Sequence, residues 1–319
     1  MSAKSRFSGP VAHAHFAAII RTMLSDSTLA DRQTFRILDI GCGDGRLVAY
    51  LQKTLTDDFP DLDIEVFGFD VEDQGYNDQS QEPEVLNYLS MQLPNIDWGQ
   101  RIRTISAYED WPFESGWFDV ALSAQVLEHV HDLENFLRNL KRIMRPDGLT
   151  AHLLPLADCV MEGHVHVPFA HWIKDFDRRV AYIAALSRIG IGRYNYDKVA
   201  LGVSTRNMYA IESAKYIECW TLYRRFRHIH EACVRAGLSL SYRYTGKYYS
   251  AKLRKIMGRK PERVYGSDSS TFDGGDLAAS FLKYISSVNL VMRPIEYDIG
   301  KRIHAEKESR LSQSQGLDS

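Results

Sequence analysis

The sequence predicts an α/β fold built on a parallel, doubly wound sheet, and three observations carry that expectation. Residues 35–155 alternate short apolar runs with helix-periodic segments, the pattern of consecutive strand–helix units. The stretch from Ile37 to Leu51, ILDIGCGDGRLVAYL, reads as a buried strand, a glycine turn and a helix. A second apolar run, Ile64 to Phe69, ends directly in Asp70.

The elements follow in order. Val11 to Leu24 reads as an amphipathic helix that covers an edge or lids the ligand site, with His13 and His15 on its surface or helix face. Ile37, Leu38 and Ile40 form the short apolar run expected of a central parallel strand. Gly41, Gly43 and Gly45 follow; glycine accepts positive φ and lets a ligand approach the backbone. The helix from Arg46 to Leu55 then directs free N–H groups at that ligand. Asp70 lies 25 residues after Gly45, placed at a strand tip where a carboxylate can accept from two ribose hydroxyls.

Residues 71–81 read as a loop, Pro83 to Gln92 as a helix, and Arg101 to Ser106 as a third strand. Phe118 to Ala124 is the fourth strand. Asp132 to Met144 carries Leu133, Phe136, Leu137, Leu140 and Met144 at core-facing helical spacing. Arg145 to Gly148 is expected to stop that helix and turn into strand five, Leu149 to Leu154.

Beyond Pro155 the pattern becomes helical and rich in His, Tyr and Arg, with pieces at Val180–Ile189 and Phe226–Ala236. Leu238 to Tyr244 reads as strand six and residues 246–275 as an irregular excursion, basic at first and then rich in Gly, Ser and Asp. Its run Lys252, Arg254, Lys255, Arg259, Lys260 and Arg263 reads first as a solvated face, and second as a holder of an anionic substrate. Leu277 to Tyr284 is a helix, Ser286 to Pro294 the last strand, and residues 301–319 a polar tail. The expected organisation is an N-terminal helix or lid over 1–34, a cofactor-binding half over 35–155, an acceptor-binding half over 156–300 and the tail.

The 319 residues are 45% hydrophobic and 25% charged, enough for one large domain with an insertion. A net charge of −2 leaves no global basic field, so nucleic acid is not an expected partner. Cys42, Cys159, Cys219 and Cys233 contain no C-x-x-C pair and read as reduced thiols of a cytoplasmic protein. No apolar run approaches the ~20 residues of a membrane span, and the two histidines near the start argue against a signal peptide. Self-association is left open.

The turn D-I-G-C-G-D-G, with Asp39 inside the strand, resembles motif I of the class I S-adenosylmethionine (SAM) dependent methyltransferases; a nicotinamide or flavin turn is the competing reading. Trp111-Pro112-Phe113, Trp117-Phe118-Asp119-Val120 and Val126-Leu127-Glu128-His129-Val130 match further motifs of that family in order and spacing, as does K-R-I-M-R-P-D-G-L from Lys141 to Leu149. The resemblance implies a Rossmann-like, seven-stranded, mostly parallel sheet whose antiparallel last strand lies between five and six, with a largely helical insertion after strand five. It implies SAM as cofactor. Asp39, Gly41, Cys42, Gly43 and Gly45 would surround its methionine end, Asp70 its ribose, Ala107 and Tyr108 its adenine, and Gln125 the transferred methyl, with Val71 also counted among the cofactor-binding residues. Ala107 stands where the family commonly has an acidic residue.

Methyl transfer from a sulfonium needs alignment, and a base where the acceptor is a hydroxyl. His129, after strand four, is one candidate, with a helix-starting structural role as the alternative. The segment Glu162 to Trp172, EGHVHVPFAHW, supplies the other. It is similar to a segment in methyltransferases of bacterial polysaccharide and glycolipid pathways, which implies O-methylation of a sugar, glycan or related small-molecule acceptor. Here His164 is the candidate base, Glu162 and the histidines bond hydroxyls, Phe169 or Trp172 stacks on a sugar face, and His171 bonds backbone. Quinone-pathway and RNA-terminal methyltransferases, which the E-H pair also resembles, bind a divalent metal through a further glutamate; Gln125 stands there, so no metal is assigned. A four-ligand site from Glu128, His129, His164 and His166 has no supporting spacing motif. Methylation of a quinone, another small metabolite or an RNA terminus, with or without a metal, and a non-catalytic SAM-binding subunit, are the alternatives.

Overall fold

A computed structural model of the chain describes residues 9–25, 32–71, 82–200, 202–265 and 277–296. The loop expected at 72–81, the Gly/Ser/Asp-rich end of the excursion at 266–275 and the polar tail at 301–319 lie outside them. The first half runs α1 (Gly9–Leu24), β1 (Thr34–Ile40), α2 (Arg46–Asp58), β2 (Asp63–Val71), α3 (Glu82–Gln92), β3 (Ile102–Ile105), β4 (Phe118–Ala124), α4 (Leu133–Ile143) and β5 (Met144–Leu154). The second half runs α5 (Phe176–Arg188), α6 (Tyr194–Ala200), α7 (Arg206–Cys219), α8 (Phe226–Arg235), β6 (Leu238–Ser241), α9 (Thr245–Ile256), α10 (Leu277–Leu282) and β7 (Val288–Pro294).

The strands form a seven-stranded sheet in the order β3-β2-β1-β4-β5-β7-β6. β1 pairs in parallel with β2 and β4, and β4 with β5. β7 is antiparallel to both β5 and β6, so it closes the sheet between them. Strand order reverses at the β1–β4 pair, the place where open α/β sheets bind ligands beyond the carboxyl ends of the strands.

Alternation along β1 builds a core on each face. Phe35 and Ile37 join α1 and α2 residues such as Phe16, Ile20, Val48 and Leu51. Leu38 and Ile40 join Phe136, Leu137 and Leu140 of α4 and Ile229 of α8. Asp132 caps α4 by accepting from the Asn135 N–H at 2.9 Å. A third core of Val165, Val167, Ile183, Tyr209 and Ala214 belongs to the helical insertion after β5.

Four expectations are corrected. His15 is not a surface residue: it is fully buried, with Nδ1 2.6 Å from the Tyr265 hydroxyl and Nε2 3.3 Å from Asn289 Oδ1 of β7. Arg145–Gly148 is not a turn outside strand five. β5 begins at Met144, and these residues form an irregular bulge between the Phe118–Met144 and Val120–Leu149 pairs. Strand six is shorter than expected, because the chain turns through Tyr244 at φ 67°. The basic excursion begins as helix α9, which buries Thr245, Tyr248 and Ala251.

Candidate active site

The bend after β1 is shaped by its glycines. Gly41, Gly43 and Gly45 have φ of 69°, 51° and 74°, values that L side chains rarely adopt. A Cβ on Gly41 would lie 2.5 Å from Val126 Cγ2, whereas one on Gly43 would meet nothing within 4 Å. Gly41 therefore packs, and Gly43 presents backbone to open space. The Gly41 and Cys42 N–H groups donate to the Phe69 carbonyl at 2.8 and 3.0 Å, and the Gly43 N–H donates to Asp70 Oδ2 at 2.8 Å. The end of β2 thus fixes the bend.

Asp39 lies beneath the bend, 2% exposed. Burial raises its pKa well above the usual carboxylate range, and the nearby Asp70 and Asp44 charges add to the effect. No cation pairs with it among the described residues.

Beside the bend a cleft of about 700 Å³ brings together Gly41, Asp70, Val71, Ala107, Tyr108, Trp111 and His129. Five of the residues singled out for a cofactor therefore share one cleft. Gln125 does not line it. Its backbone is left-handed, at φ 58°, and its side chain lines a second pocket with Gly163, His166 and Lys252.

The segment after β5 folds back over the E-H pair. Glu162 is fully buried and accepts from the His164 N–H at 2.8 Å and the Val165 N–H at 2.6 Å. It also accepts from the Tyr223 hydroxyl, and its Oε1 lies 2.8 Å from His164 Nδ1. Burial alone would push Glu162 up, but the His164 charge and these hydrogen bonds outweigh it and hold the carboxyl at about 2. Burial lowers His164, yet Glu162 and then Glu128 outweigh it, so the imidazole is raised above its ordinary value. With Nδ1 committed to Glu162, Nε2 lies 3.5 Å from Glu128 Oε1.

His129 Nδ1 donates to the Trp220 carbonyl, which leaves Nε2 as the acceptor nitrogen of the neutral ring. Its ring centroid is 5.3 Å from that of His164. The ligand atoms of Glu128, His129 and His164 all lie within 4.8 Å of one another. Three of the four residues considered for a metal site therefore converge, although the sequence assigned none; His166 instead lines the second pocket. Two imidazoles and a carboxylate suit zinc or another transition metal better than magnesium.

His171 is buried, with Nε2 3.8 Å from Cys159 Sγ. Phe169 and Trp172 are partly exposed and 4.8 Å apart between ring centroids. The sequence did not point to Tyr223, in the connection before α8, or to Arg193, whose guanidinium donates to the His164 carbonyl at 2.8 Å. Neither lies in a motif; only folding brings them to His164.

Residues 12–230 match a family model described as a methyltransferase domain. Over 127 residues the chain is 29% identical to a probable phthiotriol/phenolphthiotriol dimycocerosates methyltransferase 2 of Mycobacterium ulcerans, covering 40% of this chain and 42% of that one. Over 130 residues it is 28% identical to a mitochondrial ubiquinone biosynthesis O-methyltransferase of Bos taurus, covering 41% of this chain and 31% of that one. These matches span less than half of either relative. A solved S-adenosylmethionine dependent methyltransferase from Mesorhizobium loti aligns over 92% of this chain and 100% of its own, at 14% identity and a TM-score of 0.44. The family match extends over more than half of a chain whose glycine bend is intact, and the protein belongs to the class I SAM-dependent methyltransferases.

Proposed function

We propose that this enzyme methylates a hydroxyl of a sugar, glycan or related small molecule. The observation that supports this most is the buried Glu162–His164 pair, held in the segment that follows β5 and directed at the residues after β4. The bound donor supplies a sulfonium methyl that moves to an oxygen nucleophile as the sulfur loses its charge. The cleft fits such a donor: Asp39 is a buried carboxylate, grouped with two others and with no cation paired to it among the described residues, and an α-ammonium group would complete it.

In this reading Asp39, Cys42 and the three glycines hold the amino-acid end. Asp70, whose oxygens accept the Gly43 and Val71 N–H groups at the strand tip, would also accept from the ribose hydroxyls. Val71, Ala107 and Tyr108 flank the base, and Gln125 faces the acceptor side. His164 takes the acceptor's proton at Nε2, while Glu162 fixes the tautomer and stabilises the imidazolium that forms. His129 stands beside it. Phe169 and Trp172 offer an apolar surface for a sugar face. The test is incubation with isotope-labelled donor and a panel of hydroxylated acceptors, read by mass spectrometry. Transfer only to amines or carbon acceptors would overturn the O-methylation reading.

A second reading, metal-assisted methylation of a quinone-like or other small acceptor, is favoured by the convergence of Glu128, His129 and His164. A bound divalent ion there would orient the acceptor oxygen and lower its pKa. Stoichiometric metal in the purified protein, lost on changing His129 to Ala, would support it; chelator-insensitive turnover of metal-free protein would exclude it.

A further inference from the structure

The basic run on and after α9 is not uniform once folded. Arg254 pairs with Glu262 at 3.2 Å, Arg263 pairs with Asp58, and Lys247 of the same helix pairs with Glu262 at 3.1 Å. Lys255, Arg259 and Lys260 are exposed. Lys252 differs from all of these. It is half-buried, with Nζ 4.5 Å from the Tyr248 ring centroid and 5.1 Å from that of Tyr249, and no carboxylate pairs with it among the described residues.

Lys252 lines the pocket of about 490 Å³ that also contains Gln125, Gly163, His166, Ser286 and Ser287. Among the described residues no acidic side chain lines it. Glu162, whose charge acts on His166 of this pocket, spends its carboxylate on His164, Val165 and Tyr223. The Tyr249 hydroxyl accepts from the Ser286 and Ser287 N–H groups, both at 3.0 Å, and so holds the entry to β7 against α9. Among the described residues the pocket is therefore a fixed concavity with one cation and several neutral hydrogen-bonding groups. Burial without a counter-charge lowers the Lys252 pKa to about 8. Two tyrosine faces offset only part of what a desolvated ammonium loses, and an anion would supply the rest.

We propose that this pocket is an oxyanion subsite, in which Lys252 holds a phosphate or carboxylate carried by the methyl acceptor. The assignment rests on the methyl-transfer reading of the adjoining cleft and narrows its acceptor to an anionic one. Gln125, at the carboxyl end of β4, would then stand between the donor and the anchored acceptor.

The test is competitive labelling of the full-length protein loaded with S-adenosylhomocysteine. Limiting acetic anhydride is added at constant ionic strength with inorganic phosphate, glucuronate or uncharged methyl glucoside, and acetylation of Lys252 is read by peptide mass spectrometry. An anion present at about ten times its dissociation constant should slow acetylation of Lys252 about tenfold and leave exposed Lys255 and Lys260 unchanged. Methyl glucoside should not protect. Protection by phosphate alone assigns a phosphoryl group, and by glucuronate alone a carboxylate. Equal labelling of Lys252 with and without either anion overturns the proposal. Lys252→Met should abolish phosphate binding by calorimetry and keep the wild-type affinity for S-adenosylhomocysteine. Failure of wild-type protein to bind S-adenosylhomocysteine would instead count against the donor site, and the Lys252 protection result would still be read separately.

Discussion

Asp70 Oδ2 accepts the Gly43 N–H at 2.8 Å, while its Oδ1 accepts the Val71 N–H at 2.8 Å, so one carboxylate joins the tip of β2 to the bend after β1. Asp70→Ala should therefore loosen the bend and, on the proposed donor site, remove its ribose acceptor as well. A rise of about ten- to a hundredfold in the dissociation constant for S-adenosylhomocysteine is expected, the worth of a charge-assisted hydrogen bond. Calorimetry that finds unchanged affinity would remove Asp70 from the site.

Gly43 and Gly41 separate packing from ligand approach. Gly43→Ala adds a methyl into open space at φ 51°, so its folding cost is about 1–2 kcal/mol of backbone strain. Gly41→Ala carries that strain and also drives Cβ to 2.5 Å from Val126 Cγ2. Thermal denaturation should rank Gly41→Ala as the less stable, and Gly43→Ala should fold yet bind S-adenosylhomocysteine weakly. Wild-type affinity in Gly43→Ala would show that the ligand does not approach there.

Removing the imidazole in His164→Ala should lower kcat by about 10²–10⁴-fold with little change in cofactor affinity. Because His164 is raised by Glu162 and must be neutral to take a proton, the rate should climb with pH to a midpoint above 6.5. Glu162→Gln removes the main cause of that rise and leaves burial, which lowers His164, so the midpoint should move down. Breaking a buried pair also costs about 3–5 kcal/mol of stability, so folding is checked in the same samples. A midpoint that stays fixed in Glu162→Gln would reassign the base.

His15 and His152 are buried as neutral rings whose pKa values burial lowers to about 3, against 6.5 in the unfolded chain. Between those values the unfolded state binds the extra protons. Their stabilising contribution is complete above pH 6.5 and is lost as pH falls toward 3, at up to about 1.4 kcal/mol per pH unit for each ring. Urea denaturation across that range should show the decline, and His15→Gln should make it shallower. An unchanged slope in His15→Gln would remove His15 from the acid sensitivity.

What the sequence by itself determined is the part written in local period and local geometry. Ile37, Leu38 and Ile40, the three glycines, Asp70 at the end of an apolar run and the α4 stripe each show within a few residues which face is buried or where the chain must bend. The parallel strands, their helices and the placing of Asp70 near Gly41 were legible for that reason, whereas Ala107 and Tyr108 were singled out only by the family resemblance. The tertiary structure alone decided the polar pairings, because their partners are remote in sequence: 250 residues separate His15 from Tyr265, and 61 separate Tyr223 from Glu162. Helix α9 was obscured because its buried positions, Thr245, Tyr248 and Ala251, do not read as an apolar stripe among its charges. Lys252 looks like its basic neighbours in the sequence. Only packing of α9 beside β7 turns this one ammonium into a pocket and leaves the others to solvent or to carboxylates, because composition records a charge and only burial decides what that charge can meet.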